Sequence, residues 1–184
     1  MTKGLHLENL KESEIVRLCA KDDERAQRAV YDLLSPKMYP VCLRYAGDRD
    51  SAMDILQDGF ITLFGKIGSF RGDGSFEGWA RRIFVTTALM NLRKRDIFRN
   101  AEELDSASGE INFSPEILDK LSADDLMKII KSMPDGFRTV FNLYVIEGYS
   151  HQEIGEMLKI SDSSSRSQLS RARTWLQNKL KAEG

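Results

Sequence analysis

Histidine and cysteine are scarce in this chain, with two of each among 184 residues. His6 and His151 are far apart, and neither sits in a cluster with metal-ligand spacing, so no metal centre is expected. Cys19 and Cys42 form no CxxC pair and lie in apolar, helix-like settings (RLCA and PVCLRYA), which reads as buried free thiols and not as a disulfide framework. The chain also lacks a phosphate-binding glycine loop and a pair of histidines for acid–base work. Asp22-Asp23 and Asp124-Asp125 have too little around them for a cation and read as solvated acids. Neither an enzyme nor a cofactor is expected. No apolar run reaches membrane-spanning length and no leader-like segment opens the chain, so the expected location is the cytoplasm, without membrane insertion.

Charge of one sign is missing too: the formal net charge is -1. The charges are nevertheless segregated. Arg93-Lys94-Arg95 and Arg166, Arg171 and Arg173 make basic clusters, while acids dominate Glu102 to Asp125. Local basic surfaces can coexist with a neutral total.

What the chain does have is helical periodicity almost throughout, and no strand pattern. Helices are expected over Glu12–Ala20, over Asp23–Arg44 with Ala26, Ala29, Val30, Leu33 and Leu34 at helical spacing, and over Asp48–Ile67. Pro36 and Pro40 could bend or interrupt the second. GSFRGDGSF, Gly68 to Phe76, reads as a loop, followed by a helix over Phe76–Phe98 with Ser75 as its cap. The polar stretch Ala101 to Pro115 reads as a linker. Helices resume over Leu118–Met133 and from Pro134, the latter carrying Phe137, Val140, Phe141 and Val145. The fold class expected is all-α, in two helical domains over residues 1–98 and 118–184 with an acidic polar linker at 99–117.

The last part is the most specific. Ser150 and Glu153 form an S-x-x-E capping box; a short helix, the tight turn Lys159 to Ser161 and a longer helix make a helix-turn-helix pattern. With Ser161 as N-cap, Ser165, Leu169, Ala172, Leu176 and Leu180 fall on one face and pack inward, with Trp175 beside them. Ser164, Ser167, Gln168 and Arg171 fall on another. Gln168 suits an adenine edge, Arg171 a guanine edge or a phosphate, and the short serines allow close approach. Arg166 and Arg173 flank that face as backbone contacts. The alternative for this face is a solvated bundle surface.

The two halves together resemble the extracytoplasmic-function class of bacterial RNA polymerase sigma factors. YDLLSPKMYPVCLRYAGDRDSAMDILQDGFITLF and FRGDGSFEGWARRIFVTTALMNLRKR are similar to the family's region two; MPDGFRTVFNLYVIEGYSHQEIGEMLKIS and SRSQLSRAR are similar to its region four. The resemblance implies a dissociable, non-enzymatic subunit that binds core RNA polymerase, recognises and opens promoter DNA, and answers to an anti-sigma factor that holds the free protein back. It implies that Asp54, Gln57 and Asp58 contact the core polymerase. It also places Phe70, Phe76 and Trp79 at promoter melting, although plain core packing is the leading reading of Trp79. Arg81, Arg82, Arg93, Lys94 and Arg95 fall to the promoter backbone, and Ser164 to Arg173 to the upstream promoter element. Other readings are a stand-alone helix-turn-helix regulator and a non-enzymatic protein-interaction module. The sequence departs from the common family pattern at Ser163, Ser164 and Ser165, where many members carry glycine, threonine and valine. Ser165 is expected on the buried side, its hydroxyl bonded back to the preceding helical turn.

Overall fold

The computed structural model describes residues 12–94 and 123–183. The chain separates into two compact units, Met1–Met90 and Asn91–Gly184. Every regular element among the described residues is helical, as expected for an all-α protein.

The first unit contains α1 (Glu12–Cys19), α2 (Glu24–Ala46), α3 (Arg49–Lys66), a 3₁₀ turn (Ile67–Ser69) and most of α4 (Phe76–Lys94). Short polar side chains set its helix starts. The Asp23 carboxylate accepts the Ala26 amide at 2.9 Å, Asp48 accepts that of Ser51 at 2.8 Å, and the Ser75 hydroxyl accepts that of Gly78 at 3.0 Å. Gly47 closes α2 in the left-handed region at φ 83°, its amide donating to the Leu43 carbonyl at 3.1 Å. α2 runs unbroken through Pro36 and Pro40. Both prolines are exposed, four residues apart on one face. The carbonyls they leave unpaired therefore lie on the solvent side, where water can replace the lost bonds.

Leu34, Met38, Tyr45, Ile55, Leu63 and Phe84 fill the centre of this unit, each at most 1% exposed. Phe60 joins α3 to both neighbours, its ring centroid 4.5 Å from that of Tyr31 and 5.0 Å, edge-on, from that of Phe84. Gly59 lets α4 come this close: a Cβ there would lie 2.3 Å from the Phe84 ring. Cys19 and Cys42 are buried free thiols, raised by that burial to about 11 and about 12. Leu33, apolar and at helical spacing, is 55% exposed because α2 buries the neighbouring stripe Ala26, Val30, Leu34, Met38 and Val41.

The second unit contains α5 (Ala123–Ser132), α6 (Asp135–Phe141), a π-helical segment (Asn142–Ile146), α7 (His151–Leu158) and α8 (Asp162–Glu183). Pro134 precedes α6, as expected from its missing N–H. Arg138, only 3% exposed, ties α6 to α5. One guanidinium nitrogen donates to the Lys131 and Met133 carbonyls at 2.8 and 3.2 Å, and the other pairs with Asp135. The orphan carbonyls at the end of α5 are thus satisfied by a buried cation. After Phe141 the helix widens into π geometry, which turns Tyr144, Val145 and Ile146 outward at 37%, 49% and 37% exposure. Val145 shares the apolar period of Phe137 and Phe141, and the extra residue in this turn rotates it out of the α-helical register.

Candidate nucleic-acid interface

In the second unit α7 opens with a complete capping box. The Ser150 hydroxyl accepts the Glu153 amide and the Glu153 carboxylate accepts the Ser150 amide at 2.8 Å. The turn to α8 follows from Lys159, the left-handed C-cap of α7 at φ 59°. Ser161 then caps α8 as expected, its hydroxyl accepting the Ser164 amide at 3.0 Å. Its oxygen also lies 2.9 and 2.8 Å from the Ser163 and Ser164 hydroxyls. Three serines thus form one hydroxyl cluster at the positive end of the α8 dipole.

The inward face of α8 agrees with the helical count: Ser165, Leu169, Ala172, Leu176 and Leu180 are all buried. Ser167 is exposed, and Ser164, Gln168, Arg171 and Arg173 are half-buried. From Ser164 to Arg171 the helix rises about 10 Å, the length of about three base-pair steps. The Gln168 Oε1 is buried with no partner among the described residues. Swinging the amide onto a base edge would satisfy that oxygen. Arg166 pairs with Asp162 at 3.0 Å, with 65% and 49% of the two side chains exposed. Such a pair is worth below about 1 kcal/mol, so a phosphate can displace the carboxylate.

Ser165 departs from expectation. Its hydroxyl, fully buried, meets α7: it lies 2.9 Å from the His151 Nδ1. The His151 ring stacks on Tyr144 with centroids 4.4 Å apart. Partial burial, then the positive charge of Arg166, lower the imidazole below its ordinary value.

In the first unit the loop ahead of α4 bends through Gly72 and Gly74 at φ 80° and 99°, a conformation only glycine adopts without strain. Phe70, Phe76 and Trp79 form one cluster, with centroids 5.4 to 5.7 Å apart. Phe76 is 4% exposed and lies beneath the other two, which are half-exposed. Arg82 is exposed on α4 and Arg81 half-buried. Arg93 falls in the second unit, where its guanidinium donates to the Met157 carbonyl. Lys94 ends α4, and Arg95 lies outside the described residues, as does the expected linker at 99–117.

The outer face of α3 is mixed. Asp54, Gln57 and Asp58 are all exposed, while Leu56 and Phe60 point inward. Met53 and Ile61, 43% and 71% exposed, lie on the same outer face. Sequence reasoning missed both. The signal available was their spacing, one turn to either side of Gln57 on the helix surface. Among the described residues no group of His, Cys, Asp or Glu is arranged to hold a metal, and no helix is long and apolar enough to cross a membrane.

Comparison with known proteins accounts for both units. The family Sigma-70 region 2 matches residues 30–97, and Sigma-70, region 4 matches residues 123–176. The ECF RNA polymerase sigma factor SigW of Bacillus subtilis is 29% identical over 179 residues, covering 90% of this chain and 95% of that protein. The RNA polymerase sigma-H factor of Pseudomonas aeruginosa is 29% identical over 166 residues, covering 82% and 86%. Among solved structures, the sigma factor RpoE in complex with the anti-sigma factor NepR from Bartonella quintana has the same fold, with a TM-score of 0.52 at 20% identity, over 85% of this chain and 98% of that one.

Proposed function

Because the chain belongs to the extracytoplasmic-function class of RNA polymerase sigma factors, we propose how its surfaces divide the work of such a factor. The chain is a non-enzymatic subunit that binds core RNA polymerase and directs it to promoters. The outer face of α3 docks on the core: Asp54, Gln57 and Asp58 supply charge and hydrogen bonds around the apolar contacts of Met53 and Ile61. Phe70 and Trp79, supported by Phe76, hold an unpaired promoter base. Arg81, Arg82, Lys94 and Arg95 follow the backbone. α8 reads the upstream element, with Gln168 and Arg171 on base edges, Ser164 and Ser167 allowing close approach, and Arg166 and Arg173 on phosphates. These acts place the protein in the cytoplasm, with the polymerase and the DNA. An anti-sigma protein covering the α3 face would keep the factor from the polymerase.

The observation that carries this reading is α8 itself. Its apolar stripe is fully occupied by packing, and exposed Ser167 with half-buried Gln168 and Arg171 stands on a face outside that stripe, just beyond a capped turn. The test is reconstitution with bacterial core polymerase and mapping of transcription starts on a genomic DNA library. Gln168→Ala should change which upstream sequences are used. Arg82→Ala should weaken all promoters alike and reduce the salt dependence by about one phosphate contact. Absence of promoter-dependent initiation would overturn the proposal.

A further inference from the structure

The interface between α7 and α8 contains a polar pair where two helices of this kind ordinarily meet through apolar side chains. Ser165 is 0% exposed and belongs to the buried stripe of α8 with Leu169 and Ala172. A hydroxyl there needs a partner. The His151 Nδ1 is 2.9 Å away. His151 opens α7 directly after the capping box, and its ring is held flat against Tyr144, 4.4 Å between centroids and 21° between planes. The ring plane is therefore set from one side by the stack and from the other by the hydroxyl.

We propose that His151 is a positioning residue for the DNA-reading helix: it accepts the Ser165 hydroxyl at Nδ1 and so fixes the rotation of α8 about its axis. The inference rests on the reading of α8 as the DNA-facing helix. The physical reason is geometric. An apolar contact tolerates small rotations, whereas a hydrogen bond weakens steeply once its angle is lost. Each residue of α8 takes about 100° of turn. A modest rotation at Ser165 therefore carries Gln168 and Arg171 off their base edges, although every apolar residue stays buried. In this arrangement His151 is the neutral tautomer with its proton on Nε2, because Nδ1 is the acceptor. The groups around it are the ring of Tyr144, the hydroxyl of Ser165, and the charges of Asp162, Arg166 and Arg173 on α8.

Three variants of the full-length chain test this. His151→Phe keeps the ring and its stack but removes the acceptor, leaving the Ser165 hydroxyl buried and alone. Ser165→Ala removes the hydroxyl, while the half-exposed imidazole can still turn to water. The double variant removes both partners together. His151→Phe should lower the folding equilibrium of the second unit roughly tenfold, and the double variant should recover most of it, since deleting both halves of a buried pair costs far less than deleting one. Long-range proton–nitrogen spectra should show the Nε2–H tautomer of His151, with the Nδ1 signal moving downfield in Ser165→Ala. A role confined to filling space predicts no tautomer signature and additive variants. Promoter-dependent initiation should fall with His151→Phe and return in the double variant. His151→Phe that folds and initiates like the parent would overturn the proposal, as would a spectrum with the proton on Nδ1 that ignores Ser165→Ala. The folding and spectral arms need no DNA. If they succeed while Arg171→Ala leaves promoter choice unchanged, the DNA-facing reading of α8 fails and, with it, the positioning role.

Discussion

Gly59→Ala sets two opposing effects against each other at one atom. Gly59 lies inside α3, where alanine is favoured over glycine by about 1 kcal/mol. On propensity alone the substitution stabilises. The structure places a Cβ at this position 2.3 Å from both Cδ1 and Cε1 of Phe84, more than 1 Å inside the roughly 3.5–4.0 Å carbon–carbon optimum. Neither partner can move freely: the Cβ is fixed by backbone, and Phe84 is fully buried edge-on against Phe60. Overpacking of this kind costs about 1–3 kcal/mol, and the upper end applies where the overlap is this deep. The net expectation is a loss of about 2 kcal/mol in the first unit, or a fall of about 10 °C in its melting temperature. The chain's two tryptophans, Trp79 and Trp175, fall one in each unit. A Trp175→Phe background therefore lets Trp79 fluorescence follow the first unit during urea unfolding. Combining Gly59→Ala with Phe84→Leu should restore part of the loss, so the two changes together cost less than their sum. A Gly59→Ala protein that is more stable by about 1 kcal/mol would refute the reasoning and show that α3 and α4 move apart without penalty.

The α3 face and the His151 charge yield two further expectations. Ile61→Ala removes an exposed side chain proposed to be buried by the core polymerase; assembly measured by a native gel titration should weaken about tenfold, roughly 1.5 kcal/mol, and unchanged assembly would exclude Ile61 from the contact. The His151 imidazole is lowered from 6.5 by partial burial and by Arg166 and Arg173, against Asp162, so the unfolded chain binds the proton at a higher pH than the folded one. Its contribution to stability is present above pH 6.5 and is lost as pH falls through the lowered value. In a Trp79→Phe background, Trp175 should report a lower urea midpoint for the second unit at pH about 5.5 than at about 7.5. His151→Phe should reduce that difference, and an equal difference in both proteins would assign it elsewhere.

Local rules with strong chemistry were readable from the chain. Ser75, Ser150 and Ser161 cap the helices they precede, because a short hydroxyl before an apolar period has few other uses. The inward stripe of α8 was legible in full, including the buried Ser165, because 22 residues of regular helix leave the count little freedom. Where reading failed, the cause was non-local. Pro36 and Pro40 leave α2 intact only because their face is the solvent face. Leu33 and Val145 are apolar and periodic, yet exposed; burial at those positions depends on the stripe chosen by α2 and on a π turn that no short pattern announces. Arg138 is a cation that a sequence places on the surface, and the carbonyls it bonds lie at and just beyond the end of the preceding helix. The Ser165 partner is similar. Helical context suggested a bond within α8, but the partner sits fourteen residues earlier, on α7.

Net charge carries little information about the partners of such a chain, and the reason is screening. At physiological salt a charge is felt over about 8 Å, so a partner meets the charge of one helix face and not a total of -1. Asp50, Asp54 and Asp58 stand exposed along α3, whereas α8 turns Arg166, Arg171 and Arg173 away from its buried stripe. The two faces are also built differently. The α3 face interleaves its acids with Met53 and Ile61, so desolvation of apolar surface can hold a partner there when salt has weakened the charges. The α8 face has serines between its arginines, and its hold on a phosphate backbone depends on counterion release. Rising salt should therefore release promoter before polymerase. That order suits a subunit whose attachment to the enzyme must outlast each search along DNA.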